Sequence, residues 1–444
     1  MFANFPNNTV FRWNFRKFVE IPTKMGYYNV MKMKEQIIIR EQYLDKIRPF
    51  YDSKYIKVIT GIRRCGKSEL LKQIIKEIKY NGVGEEHIIV LDLEGKSGNG
   101  IKTRDDLERK IDSYIKDDDK YYIFIDEVQH VRNFEEAIAS IRVSYNCSLF
   151  VTGSNSKMLH GKMQDRLTGR AKEFEVYPFT YKETLEYKNL NKIKIEDDDF
   201  EQFVKFGGMP QRFEEVNEEG IRDYLVGLYD SIIEKDVYGM HKKINKNTFE
   251  TVSRYIISTT GRAFSALSIA KYLKNTLSND EQKKFSETVN NYAKYLEESY
   301  FMLECRPYYL KGKECLDGTK KYYAIDPGLR TALGNIIELD DTFTLEGIVY
   351  NELISRGYEV RYGKMLKGEI DFVAIKNNKK CLIQVAYSVS TEVAYNREYG
   401  AYNTIVDGSP RYVMTLDKKD TSHDGITHLN IIDFLTGKVD INLS

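Results

Sequence analysis

Between residues 55 and 177, short apolar runs alternate with longer stretches in which apolar residues recur at the spacing of a helix. Uninterrupted apolar runs are typical of strands buried on both faces, and strands that recur at helix-length intervals indicate parallel pairing through crossover helices. The pattern predicts a three-layer α/β fold, with helices on both faces of a parallel sheet. The predicted strands are 55–60, 87–93, 121–126, 148–153 and 173–177, and the predicted helices are 67–80, 104–117 and 134–145.

The pattern changes after residue 178. Residues 178–240 lose the strand signal and become helical and strongly charged, with a turn at Phe206-Gly-Gly-Met-Pro210, which predicts a helical connector or lid. Two amphipathic helices follow, at 265–274 and 286–299, and then two alternating segments that predict a β-hairpin. Two helices followed by a hairpin is the order of a winged helix.

The remainder of the chain predicts a second, smaller α/β domain. Its apolar runs alternate again with helical stretches, and three strands precede the second helix. The predicted elements are a helix at 345–356, strands at 359–363, 369–376 and 380–388, a helix at 391–403 and a strand at 411–416.

Composition narrows the class of protein. The chain has 444 residues, 42% hydrophobic content and a formal net charge of +1. It is too apolar for disorder, and its balanced charge means that any site for a polyanion is local. Scattered cysteines without a Cys-x-x-Cys pair argue against a disulfide framework or a zinc knuckle, and no apolar stretch is long enough to span a membrane. We expect a multi-domain cytoplasmic protein that makes no contact with a membrane.

The first 33 residues differ from the rest, because basic residues outnumber the single acid, Glu20, and aromatic residues are interleaved with them. This composition predicts a basic N-terminal arm that touches a partner. A loose leader, upstream of a true start at Met31 or Met33, is the alternative.

The segment Gly61-Ile-Arg-Arg-Cys-Gly-Lys67-Ser68 matches the phosphate-loop pattern G-x-x-x-x-G-K-[ST] and lies between a predicted strand and a predicted helix, as the mechanism requires. Glycines permit a tight loop whose backbone N–H groups point at phosphate oxygens, Lys67 reaches the β- and γ-phosphates, and Ser68 binds Mg²⁺. The predicted nucleotide-binding residues are Gly61, Ile62, Arg63, Arg64, Cys65, Gly66, Lys67, Ser68 and Glu69.

The strand Tyr121-Tyr-Ile-Phe-Ile-Asp126 ends in an acid and is followed at once by a second acid, Glu127. Asp126 is placed to hold the Mg²⁺ shell, and Glu127 to polarise the attacking water. The alternative for Glu127 is a solvated acid at the end of a strand. Together with the phosphate loop, this pair predicts a nucleoside triphosphatase that needs Mg²⁺.

Small polar residues follow the next predicted strand, where one side chain can hydrogen-bond the γ-phosphate or the water. We favour Asn155, with Ser154 as the competitor. Arg166 and Arg170 are candidate arginine fingers, acting in their own chain or from a neighbour, and an ordinary surface ion pair is the alternative. The ATPase domain contains no Asn-Lys-x-Asp guanine reader, so the sequence favours ATP over GTP.

Cys65 lies inside the phosphate loop, at the start of a predicted helix and beside Arg63 and Arg64. A helix N-terminus and neighbouring cations lower the pKa of a thiol. We therefore expect a thiol that reacts with alkylating agents and that ATP protects. A small residue that is merely tolerated at this position is the alternative.

These residues have a family resemblance. Gly-Ile-Arg-Arg-Cys-Gly-Lys-Ser, Ile-Phe-Ile-Asp-Glu-Val-Gln, Val-Thr-Gly-Ser-Asn-Ser, Leu-Thr-Gly-Arg-Ala, Gly-Gly-Met-Pro and Ile-Glu-Lys-Asp-Val together resemble a family of prokaryotic AAA-type ATPases. The family joins a P-loop module of the additional-strand class to a winged helix and a C-terminal restriction-endonuclease-like domain. The resemblance covers about 34–440 and implies ATP hydrolysis, with DNA as the suspected partner.

The resemblance divides the chain into five parts. They are the N-terminal arm or leader (1–33), the ATPase domain (34–178), the connector (179–246), the winged helix (247–335) and the restriction-endonuclease-like domain (336–444).

A nuclease of the last fold has a helix glutamate, a strand aspartate and a Glu-x-Lys pair on the next strand, which bind Mg²⁺ and activate water. The corresponding candidates here are Glu346 or Glu352 on the helix, then Asp371, then Gln384, with Ala386 in the lysine position. An amide is a poorer ligand for a divalent cation than a carboxylate, and a methyl group cannot orient water. We expect a degenerate nuclease site, although Lys364 or Lys367 can substitute for the lysine.

Residues 239–330 contain 16 Lys or Arg against 10 Asp or Glu, a local charge of +6. Such a segment can contact DNA phosphates without reading sequence, and a solvated charged face explains the same residues. The sequence thus favours an Mg²⁺-dependent ATPase that acts on or near double-stranded DNA. A homo-oligomer is among the assemblies that the sequence leaves open. The alternatives are a nucleotide-gated switch that docks a protein partner through 342–444, or an ATP-regulated nuclease. The candidate DNA contacts are Lys242, Lys243, Lys246, Lys271, Lys274, Lys283, Lys284, Lys311 and Lys313, with Tyr308 and Tyr309 near the wing.

Overall fold

The computed structural model describes residues 37–156, 169–310, 319–333, 341–365 and 368–443. Several sequence predictions lie outside these residues: the N-terminal arm, Arg166, Lys311, Lys313 and Lys367. Within the described ranges, no helix is both long and apolar enough to cross a membrane.

The predicted α/β pattern of the first domain is confirmed. Five strands form one parallel sheet in the order β2-β3-β4-β1-β5. Strand β4 therefore lies between the strand that precedes the phosphate loop, β1, and the strand that ends in Asp126, β3, which is the order of the additional-strand class of P-loop NTPases. The strands are β1 (Ile56–Thr60), β2 (Ile88–Asp92), β3 (Tyr121–Asp126), β4 (Cys147–Gly153) and β5 (Ala171–Glu175), and the helices are α1 (Glu41–Ile47), α2 (Lys67–Tyr80), α3 (Arg104–Asp112) and α4 (Phe134–Ser144).

Side-chain alternation along β3 shows why helices cover both faces of this sheet. Tyr122 and Phe124 pack with α1 and α2, whereas Ile123 and Ile125 pack with α3 and α4. Successive residues of a strand point to opposite faces, so an entirely apolar strand needs a helical layer on each side. The fold is a three-layer P-loop NTPase.

Three helices connect this domain to the rest of the chain. They are α5 (Tyr181–Leu190), α6 (Asp199–Phe206) and α7 (Glu218–Ile232). A π-helical turn, Ile233–Tyr238, follows α7 without a break. The core that contains α1 and α2 continues through Leu228 and Ile232 of α7. The connector is therefore packed against the ATPase domain and is not a free linker.

The predicted turn at Gly207-Gly208 is a docking point between segments. Gly207 has a φ of +69°, and the Gly208 amide donates to the Asp326 carboxylate at 2.6 Å. The Phe179 amide donates to the Gly208 carbonyl at 2.8 Å. A Cβ on Gly208 would lie 1.9 Å from the Phe179 carbonyl oxygen. The turn accepts only glycine because the Phe179 backbone and the Asp326 carboxylate approach it closely.

We expect Gly208→Ala to lower the free energy of unfolding by about 3 kcal/mol, because the new methyl group forces backbone atoms apart. Chemical denaturation measures this change. The matched control is Gly227→Ala in α7, where a Cβ meets no atom within 4 Å and the better helix propensity of alanine raises stability by up to about 1 kcal/mol. Equal unfolding midpoints for the two variants would contradict this account of the turn.

The next segment has the order helix, strand, helix, helix, strand, strand. Its elements are α8 (Lys246–Ser258), β6 (Ala263–Phe264), α9 (Ala266–Leu273), α10 (Asn279–Glu298), β7 (Met302–Cys305) and β9 (Lys320–Ala324). The strands form an antiparallel sheet in the order β6-β9-β7, so the predicted hairpin pairing is present. Helix α10 begins earlier than the predicted residue 286, because Ser278 and Glu281 form a capping box.

One short strand crosses between sheets. Strand β8 (Pro307–Tyr309) comes directly after β7, but it pairs in parallel with β10 of the C-terminal sheet. The predicted domain boundary at 335/336 stays a prediction. Strand β8 precedes this boundary in the sequence but belongs to the sheet that follows it.

The C-terminal sheet is mixed and has the order β14-β13-β12-β11-β10-β8. Helix α12 packs on one face through Leu345 and Val349, and helix α13 packs on the other through Tyr399. The predicted helix-strand-strand-strand-helix-strand order is confirmed, whereas β14 and α14 have no counterpart in the sequence prediction. The elements are α11 (Pro327–Ala332), α12 (Asp341–Ser355), β10 (Glu359–Lys364), β11 (Glu369–Lys376), β12 (Lys379–Val385), α13 (Glu392–Gly400), β13 (Arg411–Thr415), β14 (Ile426–Asn430) and α14 (Ile431–Thr436).

Candidate active site

The phosphate loop joins the end of β1 to the start of α2. Gly61 has a φ of +141° and Gly66 a φ of +104°, which is backbone that favours glycine. A Cβ on Gly61 would lie 2.1 Å from the Val176 carbonyl oxygen. The N-cap residue of α2 is Gly66, which has no side chain to bond the free N–H groups of the first turn. The loop thus presents the positive end of a helix dipole, which fits an anionic phosphate.

Lys67 lies inside this loop and is buried. Its ammonium donates to the carbonyls of Gly61 at 3.1 Å and Ile62 at 3.2 Å, and it lies 3.5 Å from the Glu127 carboxylate. Burial lowers the pKa of Lys67, but Glu127 and the acidic residues around it outweigh burial and raise it. Lys67 is therefore a fixed positive charge at the point where a phosphate would bind.

Asp126 and Ser68 lie together beside Lys67. The hydroxyls of Ser68 and Thr152 both hydrogen-bond the Asp126 carboxylate, and burial raises the pKa of Asp126 despite these bonds. A hydroxyl and a carboxylate are the hard oxygen ligands that Mg²⁺ prefers. These two residues fit the magnesium role that the sequence assigns to them.

Glu127 is buried, so it is not the solvated acid of the alternative interpretation. Its backbone is left-handed, with a φ of +55°, and its amide donates to Thr152 Oγ1 at 2.8 Å. Strained backbone of this kind clusters at functional sites. Burial raises the pKa of Glu127, but Lys67, a hydrogen bond from Gln129 and the charge of Arg63 outweigh it and lower the pKa. The carboxylate is thus held ionised, as a base must be.

Two further charged residues, to which the sequence analysis gave no role, join this site. Asp236 of the π-helical turn binds Arg63 of the phosphate loop, and Arg63 also binds Glu94, which follows β2. The hydroxyl of Ser154 donates to Asp236 Oδ1 at 2.9 Å, and the amide of Asn155 donates to the Asp236 carbonyl at 3.4 Å. Ser154 and Asn155, the two candidates that follow β4, therefore both contact the connector.

The remaining loop residues have other surroundings. Ile62 is part of the apolar core, whereas Arg64 has a φ of +66° and donates to Gln211 at 3.0 Å on the surface. Glu69 pairs with Lys72 along α2. These side chains support the shape of the loop, and the structure gives them no direct role in chemistry.

The expectation of a reactive Cys65 is wrong. The thiol is fully buried, and burial raises its pKa, although Lys67 and Arg40 oppose this shift. The guanidiniums of its sequence neighbours bind other residues: Arg63 donates to Asp236, and Arg64 donates to Gln211. Cys65 is a small core residue, which is the alternative that the sequence analysis left open.

Arg170 is at the wrong end of the sheet to act in its own chain. Its carbonyl accepts from the amide of Ile56 at 2.9 Å, so it lies beside the start of β1, whereas the phosphate loop follows the end of that strand. At about 3.3 Å per residue, the length of β1 separates the two by about 15 Å. A role for Arg170 as an arginine finger therefore requires a second copy of the chain.

A second group of acidic residues lines a cavity of about 490 Å³ in the C-terminal sheet. Glu346, Asp371, Gln384 and Glu398 contribute to its wall. Glu352 does not, because positions 346 and 352 lie about 120° apart around the helix axis. Glu352 pairs instead with Arg356 at 2.7 Å. The structure therefore selects Glu346 over Glu352 as the helix acid beside Asp371.

The side chains at this cavity are bonded to one another. Gln384 accepts from the Asp371 amide at 2.7 Å and donates to Glu398 at 2.9 Å. Burial raises the pKa of Asp371 to about 7 and that of Glu346 well above its usual range. Lys321 of β9 binds Glu369 at 2.7 Å and opposes both shifts. The lysine that approaches the cluster is thus Lys321, while Lys364 binds Thr319.

Comparison with known proteins agrees with the fold of the first domain. Residues 53–185 match the AAA domain family, and residues 197–340 match a domain family of unknown function. The ORC1 protein of Aeropyrum pernix, solved in complex with DNA, is 11% identical with a TM-score of 0.31, and the match covers 67% of this chain and 93% of that one. A likeness of this size carries no argument about function.

The relatives that match most of the chain include two uncharacterized proteins. An uncharacterized protein of Methanocaldococcus jannaschii is 29% identical over 367 residues, which is 79% of this chain and 78% of the relative. An uncharacterized protein of Haemophilus influenzae is 30% identical over 409 residues, which is 91% of this chain and all of the relative. The chain therefore carries an AAA domain and belongs to the same protein family as its Haemophilus influenzae relative.

Proposed function

We propose that the chain binds ATP and hydrolyses it in a reaction that depends on Mg²⁺. The observation that supports this proposal most directly is the buried, ionised Glu127 carboxylate, 3.5 Å from Lys67 and next to Ser68 and Asp126. A P-loop alone binds nucleotide, whereas an acid held in this position can also activate water. The AAA domain match is consistent with this chemistry.

Each residue has a distinct role in the proposed reaction. The loop amides and Lys67 bind the phosphates, and Ser68 and Asp126 would hold Mg²⁺, which neutralises charge on the phosphate oxygens. Glu127 takes a proton from the attacking water. Because Lys67 lowers the pKa of Glu127, engagement of Lys67 by a phosphate weakens that effect and makes Glu127 a stronger base.

We further propose that the enzyme acts on double-stranded DNA through residues 239–330, which include the elements from α8 to β9. The order of its elements fits a winged helix, and its local charge is +6. Phosphate contacts by lysines provide affinity without sequence recognition. Seven of the candidate lysines are described, and all are exposed: Lys242, Lys243, Lys246, Lys271, Lys274, Lys283 and Lys284.

Steady-state ATP hydrolysis, with and without double-stranded DNA at two salt concentrations, tests this proposal. We expect DNA to stimulate turnover several-fold and the stimulation to fade with salt, because bound phosphates release counterions. The double substitution Lys283→Gln/Lys284→Gln on α10 should reduce the stimulation and leave the basal rate unchanged. The matched control is Lys79→Gln, which removes a charge from the end of α2 in the ATPase domain.

Turnover that is indifferent to DNA at low salt would contradict the DNA proposal. It would favour the alternative of a nucleotide-gated switch, whose partner is then sought among proteins that bind residues 342–444. Absence of ATP turnover under every condition would contradict the hydrolase proposal itself.

A further inference from the structure

Arg63 is a buried cation whose charge is balanced from outside the phosphate loop. Its guanidinium makes two hydrogen bonds to Asp236, at 3.0 and 3.1 Å, and one to Glu94 at 2.9 Å. The side chains of Arg63 and Asp236 are 8% and 6% exposed. A buried guanidinium needs such partners, because an unpaired charge in the interior is strongly unfavourable. The shape of the phosphate loop is therefore linked to the position of Asp236.

Asp236 also connects to the residues around the attacking water. Its Oδ1 accepts from Ser154 at 2.9 Å, and Ser154 accepts from Gln129 at 3.2 Å. Gln129 in turn donates to Glu127. One continuous chain of hydrogen bonds thus runs from the phosphate loop, through Asp236, to the proposed base.

The element that carries Asp236 leads away from the ATP site. Asp236 lies in the π-helical turn Ile233–Tyr238. This geometry is rare in proteins overall, and where it occurs it is frequently part of a functional site. Upstream, Tyr229 of α7 packs edge-on against Phe301, with ring centroids 5.4 Å apart, and lies 3.3 Å from the Ser253 hydroxyl. Phe301 precedes β7 and Ser253 belongs to α8. The continuous helical element formed by α7 and the π-helical turn therefore contacts both the ATP site and the segment with the lysines.

We propose that Asp236 is a positioning residue that locks Arg63 of the phosphate loop to Ser154 at the end of β4, and that this lock couples nucleotide binding to the helix that ends in the π turn. The inference rests on the proposed ATPase function. Movement of α7 either carries the phosphate loop with it or breaks a buried ion pair. For the same reason, we expect a nucleotide that rearranges the phosphate loop to change the position or mobility of α7.

Two measurements on the full chain test this inference. We expect Asp236→Asn to lower kcat about tenfold or more while the affinity for a fluorescent ATP analogue changes little, because misplacement of catalytic groups costs rate. Arg63→Lys should do the same, because an ammonium cannot make the forked contact with Asp236 and Glu94. Asp230→Asn, an exposed acid on α7, is the matched control and should match the wild type.

The second measurement is hydrogen exchange of the amides of 218–240 with and without ATP. In the wild type and in Asp230→Asn we expect ATP to slow this exchange, and in Asp236→Asn we expect the effect to be lost although ATP still binds. The losses in kcat from Asp236→Asn and Ser154→Ala should also fail to multiply in the double variant, because the two residues act through one hydrogen bond.

Thermal unfolding identifies variants that fail to fold. If Asp236→Asn fails to fold, the kcat of Arg63→Lys and the exchange of the wild type test the inference instead. Normal kcat in both Asp236→Asn and Arg63→Lys, or exchange in 218–240 that ATP does not alter in the wild type, would overturn the inference while hydrolysis by the wild type stands. A wild type that neither binds nor hydrolyses ATP would instead overturn the proposed function.

Discussion

The Glu127→Gln variant is expected to bind ATP at least as tightly as the wild type and to hydrolyse it at least about a hundredfold more slowly. The amide has the shape of the carboxylate but cannot accept a proton from water. The substitution also removes the charge that Lys67 faces at 3.5 Å, so Lys67 interacts more strongly with a phosphate. The variant should therefore trap ATP.

Single-turnover hydrolysis and equilibrium binding of a fluorescent ATP analogue separate these two effects. Glu86→Gln is the matched control, because Glu86 is an exposed acid just before β2, at the end of the parallel strands away from the phosphate loop. It should match the wild type in both assays. Wild-type turnover by Glu127→Gln would show that another group activates the water.

The Lys67→Ala variant is expected to lose measurable turnover and most of its affinity for ATP, because it removes the cation that faces the phosphates. The structure adds an effect on stability. Glu127 is buried, and Lys67 is the first of the groups that hold its pKa down against burial. Removal of one partner from a buried ion pair costs about 3 kcal/mol, because the other charge is left uncompensated.

A double-mutant cycle tests the origin of that cost. In a Glu127→Gln background no buried charge remains at position 127, so we expect Lys67→Ala to cost about 1 kcal/mol or less. Denaturant unfolding of the four proteins without nucleotide gives the coupling free energy. Equal costs in the two backgrounds would show that the contact between Lys67 and Glu127 contributes nothing to stability.

The parts of the fold that the sequence predicts well are those whose pattern is local. Strand β3 and helix α2 have the predicted bounds, because a run buried on both faces and a phosphate loop that starts a helix leave little choice. The destination of β8 is not predictable in this way. Pro307–Tyr309 continues the alternation of β7, and only tertiary pairing decides that it joins β10.

The site shows the same division. Lys67, Ser68, Asp126 and Glu127 are identified by motif, and the structure brings them together. Asp236 received no role, although the motif Ile-Glu-Lys-Asp-Val that contains it was one of those that carried the family resemblance. Other differences between the prediction and the structure arise from the burial of side chains and the distances between them, which the spacing of residues along the sequence does not determine.

One error and one choice that the sequence left open make that physical reason concrete. The prediction for Cys65 counted nearby cations and omitted the apolar core that covers the thiol. The choice between Glu346 and Glu352 depends on which face of α12 meets the cavity, and both are acids on one helix. In each case the outcome depends on which residues surround a side chain in the folded protein, and a sequence motif does not specify them.

The crossing of β8 bears on how this chain can be inherited. A gene fusion or a stop codon after β9 would keep β8 but remove β10, its partner, and leave an unpaired strand edge that invites aggregation. We therefore expect recombination at this junction to be unfavourable and the two sheets to be inherited as a single module. Function at the C-terminal sheet is better dissected by point substitution than by deletion.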